Sequence, residues 1–514
     1  MATEIDHLKE LIKVGEIGEA ITFLEENKEK KTLRYAIEND NSILYLVSCR
    51  WCEAVEEKHI DELALKRLWE MDASRFNSYI QWLPQEVLEE TFKLGPISKL
   101  FTLLLNCGAN LSKKFSFPDD TPLTFAVKRA NLRLVEFLLG QGANIHTQNS
   151  KGDTLLHLAV KCLNLELVQI LFENGAYINA QNSSGNTPLH AAIECSNLGL
   201  VQTLLKIGAD INAQNGEKDT PLHFTIKCLN LELAQFLFEN GADINMQNAE
   251  GDTPLHLAIR WLDLELAQFL FENGADINMQ NAEGDTPLHL AIQYSNFEIV
   301  QFLLQNDADI NTQNNSENSP LHLAVQKGNT RVVKQLLQRD TCNLNAQDNK
   351  GKTPLNWAVI SCNPDLAQLL LANNADVNVQ DKNGNTPLHL AALNCNRLNY
   401  SISEKCFEIV NSLLSHHAEA TIKNHNGEIP LDCLPTYVPG PLYEVIESIK
   451  KVLSENTHLE QQAKQPASNE PPSTHRASSS RMSLNRSAFL QGIRHAFSKK
   501  RQQEKKNENP RPGP

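Results

Sequence analysis

The chain opens a segment with Thr-Pro-Leu-His, or a close variant, at Thr121, Thr154, Thr187, Thr220, Thr253, Thr286 and Ser319, each start 33 residues after the last. The opening returns at Thr353 and Thr386 and decays to Ile-Pro-Leu-Asp at Ile429. A fixed period of this size excludes one globular core. Each unit is a supersecondary piece that buries its apolar side only against its neighbours. Such an array presents a long surface, so recognition of a partner is expected before catalysis.

One unit, Thr220 to Asp252, shows the logic. Thr220 is a good N-cap, and Pro221 sits at the first helical position, where its missing N–H costs nothing. Leu222 and Ile226 give a short first helix an apolar side, and Asn230 ends it. Leu231, Leu233, Ala234, Leu237 and Phe238 recur at helical spacing and predict a second helix. Gly241 stops it by taking the left-handed conformation at C′. The polar, turn-rich tract Asp243–Asp252 reads as a hairpin-like finger leading to the next Thr-Pro.

On these residues (Thr-Pro-Leu-His, the Gly-Ala-Asp-Ile-Asn after the second helix, and the Gly two residues before the next Thr) the unit resembles the ankyrin repeat. The resemblance implies an all-α ankyrin-repeat solenoid, helix-turn-helix plus finger per repeat, over residues 86–456, about ten to eleven repeats with degenerate ends. Asp307, Asn374 and His417 stand where other repeats carry the helix-stop Gly. Residues 1–85 read as an irregular helical cap or a separate small helical domain, and residues 86–117 as a first degenerate repeat. About ten extra residues, Asn396–Lys405, are expected to bulge as a loop between the helices of the tenth repeat. The last helix is expected over Leu442–Leu453, and residues 457–514 read as a disordered basic tail rich in Gln, Pro, Ser, Arg and Lys.

The formal charge of −15 divides unevenly. From Thr457 onward 11 Lys and Arg stand against 4 Asp and Glu, so the tail carries +7 and the rest −22. An acidic array argues against nucleic acid as partner. No stretch approaches the ~20 apolar residues of a membrane span. The N-terminus lacks the apolar core of a signal peptide. Of 11 cysteines, Cys162, Cys195 and Cys228 share one slot in successive repeats. Repeats stacked roughly 10 Å apart exceed the ~7 Å limit for bridging Cα atoms. These read as free thiols of a reducing compartment, so the chain is expected in the cytoplasm, its own or a host cell's; a monomer is expected.

Other motifs dissolve into the repeat. Seven of the 16 histidines, His157, His190, His223, His256, His289, His322 and His389, belong to Thr-Pro-Leu-His and read as structural hydrogen bonds rather than metal ligands. Gly351-Lys352-Thr353 mimics a phosphate loop but lacks its first glycine, since Ala346 stands there. Cys49 and Cys52 form a Cys-x-x-Cys without a second ligand pair. Leu83–Leu88 resembles the opening of an F-box but runs too soon into the first repeat. No catalytic constellation, metal site or cofactor is expected. Phe489, Leu490, Ile493 and Phe497, among Arg486, Arg494, Lys499, Lys500 and Arg501, form a basic amphipathic pattern. Membrane contact, nuclear import and a bacterial effector's secretion signal all remain open for it.

The functional reading is a scaffold that binds a protein partner. The alternatives are a host-directed effector or adaptor with targeting signals in its tail, and an enzyme with an N-terminal activity. The Thr220 and Thr253 repeats differ at five of 33 positions, and at one of them Cys228 is replaced by Trp261. In the ankyrin family the two residues ending the first helix face the concave groove, which here implies Lys227-Cys228, Arg260-Trp261 and Gln293-Tyr294. Trp261, Tyr294, Lys227, Arg260 and Gln293 form the candidate partner site. Glu217, Asp219, Glu250, Asp252, Glu283 and Asp285 are expected to add an acidic rim that steers a basic partner.

Overall fold

The computed structural model describes residues 2–14, 16–27, 30, 37, 43–47, 102–106, 109–114, 120–395, 400–435 and 442–463. The Cys49–Cys52 pair, the F-box-like segment, most of the first degenerate repeat and the basic amphipathic pattern lie outside these residues. The chain divides into two compact units, Met1–Asp276 and Ile277–Pro514.

In the first unit, Ala2–Val14 and Ile17–Asn27 form a helical pair. First helices of seven residues follow at Pro122–Lys128, Leu155–Lys161, Pro188–Glu194, Pro221–Lys227 and Pro254–Arg260. Each is followed by a nine-residue second helix, from Leu132–Gly140 to Leu264–Glu272. The second unit repeats this from Pro287–Gln293 and Phe297–Gln305 onward. It ends with Tyr400–Ser415 and Leu442–Ala463. Among the described residues there is no strand, only one isolated bridge between Gln148 and Thr154.

Local chemistry sets each boundary. Thr220 caps its helix by accepting from His223 N–H, while the His223 ring accepts from Thr220 N–H, a reciprocal box. Asn230 caps the second helix through Leu233 N–H at 3.0 Å. Gly241 leaves it at φ 95°. Asp307, Asn374 and His417 take the same left-handed turn at φ 59°, 66° and 67°. The finger is organised by one side chain. Asn215 Oδ1 accepts from the N–H of Glu217 and Asp219, both at 2.9 Å. Gly185 is required by a neighbour, since a Cβ there would lie 2.2 Å from Gly216 N.

The core is the pair of faces between successive repeats. Leu222, Ile226, Leu233, Ala234 and Leu237 are all buried. Phe238 is only half-buried and packs edge-on against Phe269 at 6.2 Å. Polar ladders run beside this core. Asn212 Oδ1 accepts from Asp243 N–H of the next repeat, and Gln214 Nε2 donates to Gln247 O. Fingertips are joined by backbone bonds such as Ala249 N–H to Glu217 O at 2.8 Å.

Two expectations change at the C-terminal end. The insertion in the tenth repeat is not simply a loop, because Tyr400–Lys405 extends the second helix of that repeat to 16 residues. The final helix runs ten residues past Leu453, to Ala463. Its Glu460 carboxylate accepts from Ala420 N–H, Thr421 N–H and Thr421 Oγ1 at 2.9–3.1 Å, and Asn456 and Thr457 are buried. Thr457 and Glu460 therefore belong to the folded array, not the tail.

Candidate interaction surface

In four repeats the residue ending the first helix is a cation paired with the aspartate that precedes the Thr. Lys128 pairs with Asp120, Lys161 with Asp153, Lys227 with Asp219 and Arg260 with Asp252. Arg260 Nε lies 2.7 Å from Asp252 Oδ2. Asp219 and Asp252 are fully buried, and Asp120, Asp153 and Asp285 nearly so. Burial opposes ionisation of Asp153, but hydrogen bonds from Lys161, Asn182 and Asn149 outweigh it and hold the carboxyl below its ordinary value. Where Asn replaces Asp, as at Asn186 and Asn318, the matching residues are Glu194 and Gln326. Gln326 Nε2 then donates to Asn318 Oδ1 at 3.2 Å.

This matching reassigns part of the predicted site. Lys227 and Arg260 are spent largely on buried aspartates, so their first role is to neutralise charge inside the repeat. Asp219, Asp252 and Asp285 do not stand on a rim. They are buried beneath the fingers, where Asn248 and Asn314 donate to Asp219 and Asp285. The exposed acids are Glu217, Glu250 and Glu283. Glu217 and Glu250 stay within 3.7 and 3.5 Å of Lys227 and Arg260.

Trp261 and Tyr294 are exposed, at 54% and 41% of their surface, in the first and second unit respectively. Gln293 is exposed as well. The structure explains the other differences between the near-duplicate repeats. Phe224 packs on the His190 ring at 5.0 Å, and Leu257 is buried in the same slot. Thr225 donates its hydroxyl to Leu222 O, and Ala258 fills that slot without it. Asn230 and Asp263 cap their second helices alike. Of the five differing slots only that of Cys228 and Trp261 is exposed in both repeats, and there the change puts a large aromatic in solvent.

The histidine row is structural. His190 Nδ1 accepts from Thr187 Oγ1 at 2.8 Å, and Nε2 donates to Asp219 O of the next repeat at 3.1 Å. His157, His223, His289, His322 and His389 make the corresponding reach. Burial lowers the pKa of all six, that of His190 to about 4. No group of three or more His, Cys, Asp or Glu among the described residues could hold a metal ion. Cys162, Cys195 and Cys228 are free thiols that burial pushes up, which disfavours the reactive thiolate.

Sequence reasoning missed two features. Leu163, Leu229 and Leu262 occupy the turn between helices at positive φ and are half-exposed. The signal was available, because Gly328 fills that slot in another repeat. Tyr177, also exposed, stacks on His146 at 4.2 Å. In the Thr187 repeat that pair of slots holds a hydrogen bond instead, Asp210 N–H to Asn179 Oδ1.

Comparison with known proteins follows the same lines. Six overlapping matches to the family model for ankyrin repeats (3 copies) run from residue 95 to residue 424, well over half the chain. The chain belongs to the ankyrin repeat family. Its consecutive helix pairs pack as in an ankyrin-repeat solenoid, and the repeats of this family are generally protein–protein interaction modules. A solved structure similar to part of this ankyrin array is the ankyrin repeat domain of Bcl-3, titled a unique member of the IkappaB protein family. It is 30% identical, with 43% of this chain and 99% of that chain covered and a TM-score of 0.40. Comparison with curated proteins returned no match. No helix among the described residues is long and apolar enough to cross a membrane.

Proposed function

We propose that this ankyrin array is a scaffold that binds a protein partner at the ends of its first helices and at its fingers. The observation that carries the reading is Trp261. Two repeats that differ at five positions keep the roles of four of those slots, and at the one slot exposed in both, Cys228 has become a half-exposed tryptophan. Tryptophan is the residue type most enriched at binding hot spots. Tyr294 offers a second aromatic anchor within its own unit. Lys227 and Arg260 are neutralised by buried aspartates, so the exposed Glu217, Glu250 and Glu283 outnumber the exposed Lys218 of the same fingers and favour a partner with a basic surface.

The test is affinity capture on the full chain, followed by titration of the captured protein against Trp261→Ala and Tyr294→Ala. Each variant should weaken binding by about 2 kcal/mol or more and change stability by no more than about 0.5 kcal/mol. Unchanged affinity in both, on folded protein, removes this surface from consideration.

A further inference from the structure

Between the two helices of each repeat from Thr121 to Thr353 the chain turns through one residue at positive φ. In the first unit its occupants are Ala130, Leu163, Ser196, Leu229 and Leu262, at φ 51–59°. The slot suits glycine, as at Gly328. A leucine there brings its Cβ against the following carbonyl, which is unfavourable. Packing could offset that strain, but Leu163, Leu229 and Leu262 are 47–54% exposed. Neither conformation nor burial accounts for them. The turn's backbone bonds hold the conformation, such as Leu229 N–H to Ile226 O at 3.0 Å, but do not call for a bulky side chain, and residues strained in this way cluster at ligand sites. Copying of the repeat is a weak explanation for Leu262, since Trp261 and Asp263 on either side have both diverged from Cys228 and Asn230.

Leu229 and Leu262 stand in consecutive repeats, and Trp261 adjoins Leu262. Beside them Lys227 and Arg260 are neutralised by the buried Asp219 and Asp252, and the exposed Glu217 and Glu250, with the partly exposed Asp263 next to Leu262, outweigh the exposed Lys218 and leave this stretch acidic. Stacked helices lie about 8–10 Å apart, and seven residues of an α-helix advance about 10.5 Å. The spacing of the two leucines therefore suits apolar residues at i and i+7 of one helix. We infer that Leu229, Trp261 and Leu262 receive a basic amphipathic helix of a partner protein, its Lys and Arg facing Glu217 and Glu250. This deepens the proposed surface and rests on it.

The experiment selects displayed random peptides on the full chain. The enriched peptides are then titrated by fluorescence anisotropy against Leu229→Asn, Leu262→Asn, Trp261→Ala and Glu217→Gln with Glu250→Gln. Asn is used because it tolerates positive φ. Enriched peptides should carry net positive charge and apolar residues at i and i+7. Each leucine variant should weaken them about tenfold or more, and the paired glutamine variant should weaken them less and flatten their salt dependence. The melting temperature of each leucine variant should rise by about 2 °C as strain is relieved. A fall in melting temperature assigns the leucines to the fold and overturns the inference. So does unchanged affinity in both leucine variants. If those variants bind normally while Trp261→Ala does not, the surface survives and the leucine assignment fails. If all three bind normally, the surface itself fails. Enrichment of acidic peptides, or of none, overturns the partner class.

Discussion

The histidine row makes the array acid-sensitive in a defined window. Six of these rings have folded-state pKa values below the ordinary 6.5, because burial penalises the imidazolium. The unfolded chain therefore takes up protons first as pH falls. Stability from each ring is complete above about pH 6.5 and is lost as pH falls toward the folded value. For His190 the interval runs from 6.5 to about 4. One proton per ring amounts to about 1.4 kcal/mol per pH unit, so His190 alone forfeits on the order of 3 kcal/mol across it. The others act in the same direction, so the array should unfold cooperatively well above the carboxylate range. Asp153, held below its ordinary value, adds a further loss only at lower pH.

The chain supplies its own control. In the Thr353 repeat the histidine slot holds Asn356, whose N–H still donates to Thr353 Oγ1. His190→Asn should therefore keep the cap and lose the reach to Asp219 O, costing about 1–2 kcal/mol at neutral pH. It should also remove up to one proton from the pH slope. Urea titrations followed by far-ultraviolet circular dichroism, from about pH 7.5 to 4.5, read both effects. Stability that stays flat between pH 7 and 5, or a slope unchanged in His190→Asn, would refute the assignment of buried neutral rings.

Leu237→Ala should cost about 2–5 kcal/mol in denaturant titration, whereas Phe238→Ala should cost clearly less, because Leu237 is fully buried and Phe238 only half. Glu460→Ala strands the Ala420 and Thr421 N–H groups and should lower stability by about 1–3 kcal/mol, visible as faster amide exchange at both. Truncation after Asn456 should do at least as much. Lys227→Glu should destabilise by repelling the buried Asp219, and Asp219→Asn in the same chain should restore part of the loss, as the native pair Asn186 and Glu194 implies. A coupling below about 0.5 kcal/mol in that double-mutant cycle would show the pairing to be incidental.

The helices were legible because their boundaries rest on local chemistry. Thr220 and Pro221 start one helix, Asn230 caps the next and Gly241 ends it, and all three effects act within four residues. The end of the chain was less legible. The extent of Leu442–Ala463 depends on Glu460 meeting the Ala420–Thr421 turn about 40 residues away, a contact with no sequence periodicity. The insertion failed for a related reason. Extra residues between two helices can lengthen a helix as readily as a loop, and Tyr400–Lys405 did so.

The site divides along the same line. Exposure of Trp261 was readable, because the repeat template has no core role for that slot. The fate of the charges was not, because a carboxylate and its cation eight residues apart look the same on a rim or beneath a finger. The internal repeats resolve this when the two slots are compared jointly. Asp precedes the cap where Lys or Arg ends the helix, at Asp120, Asp153, Asp219 and Asp252, and Asn precedes it where Glu194 or Gln326 does, while Asp285, in the repeat ending its helix in Gln293, accepts from Asn314. Desolvation favours that matching, since a buried carboxylate needs a cation or hydrogen bonds to offset its lost hydration. A charge that tracks its partner from repeat to repeat therefore speaks for folding. A residue such as Trp261, which changes while the other slots of its repeat keep their roles, speaks for something outside the repeat.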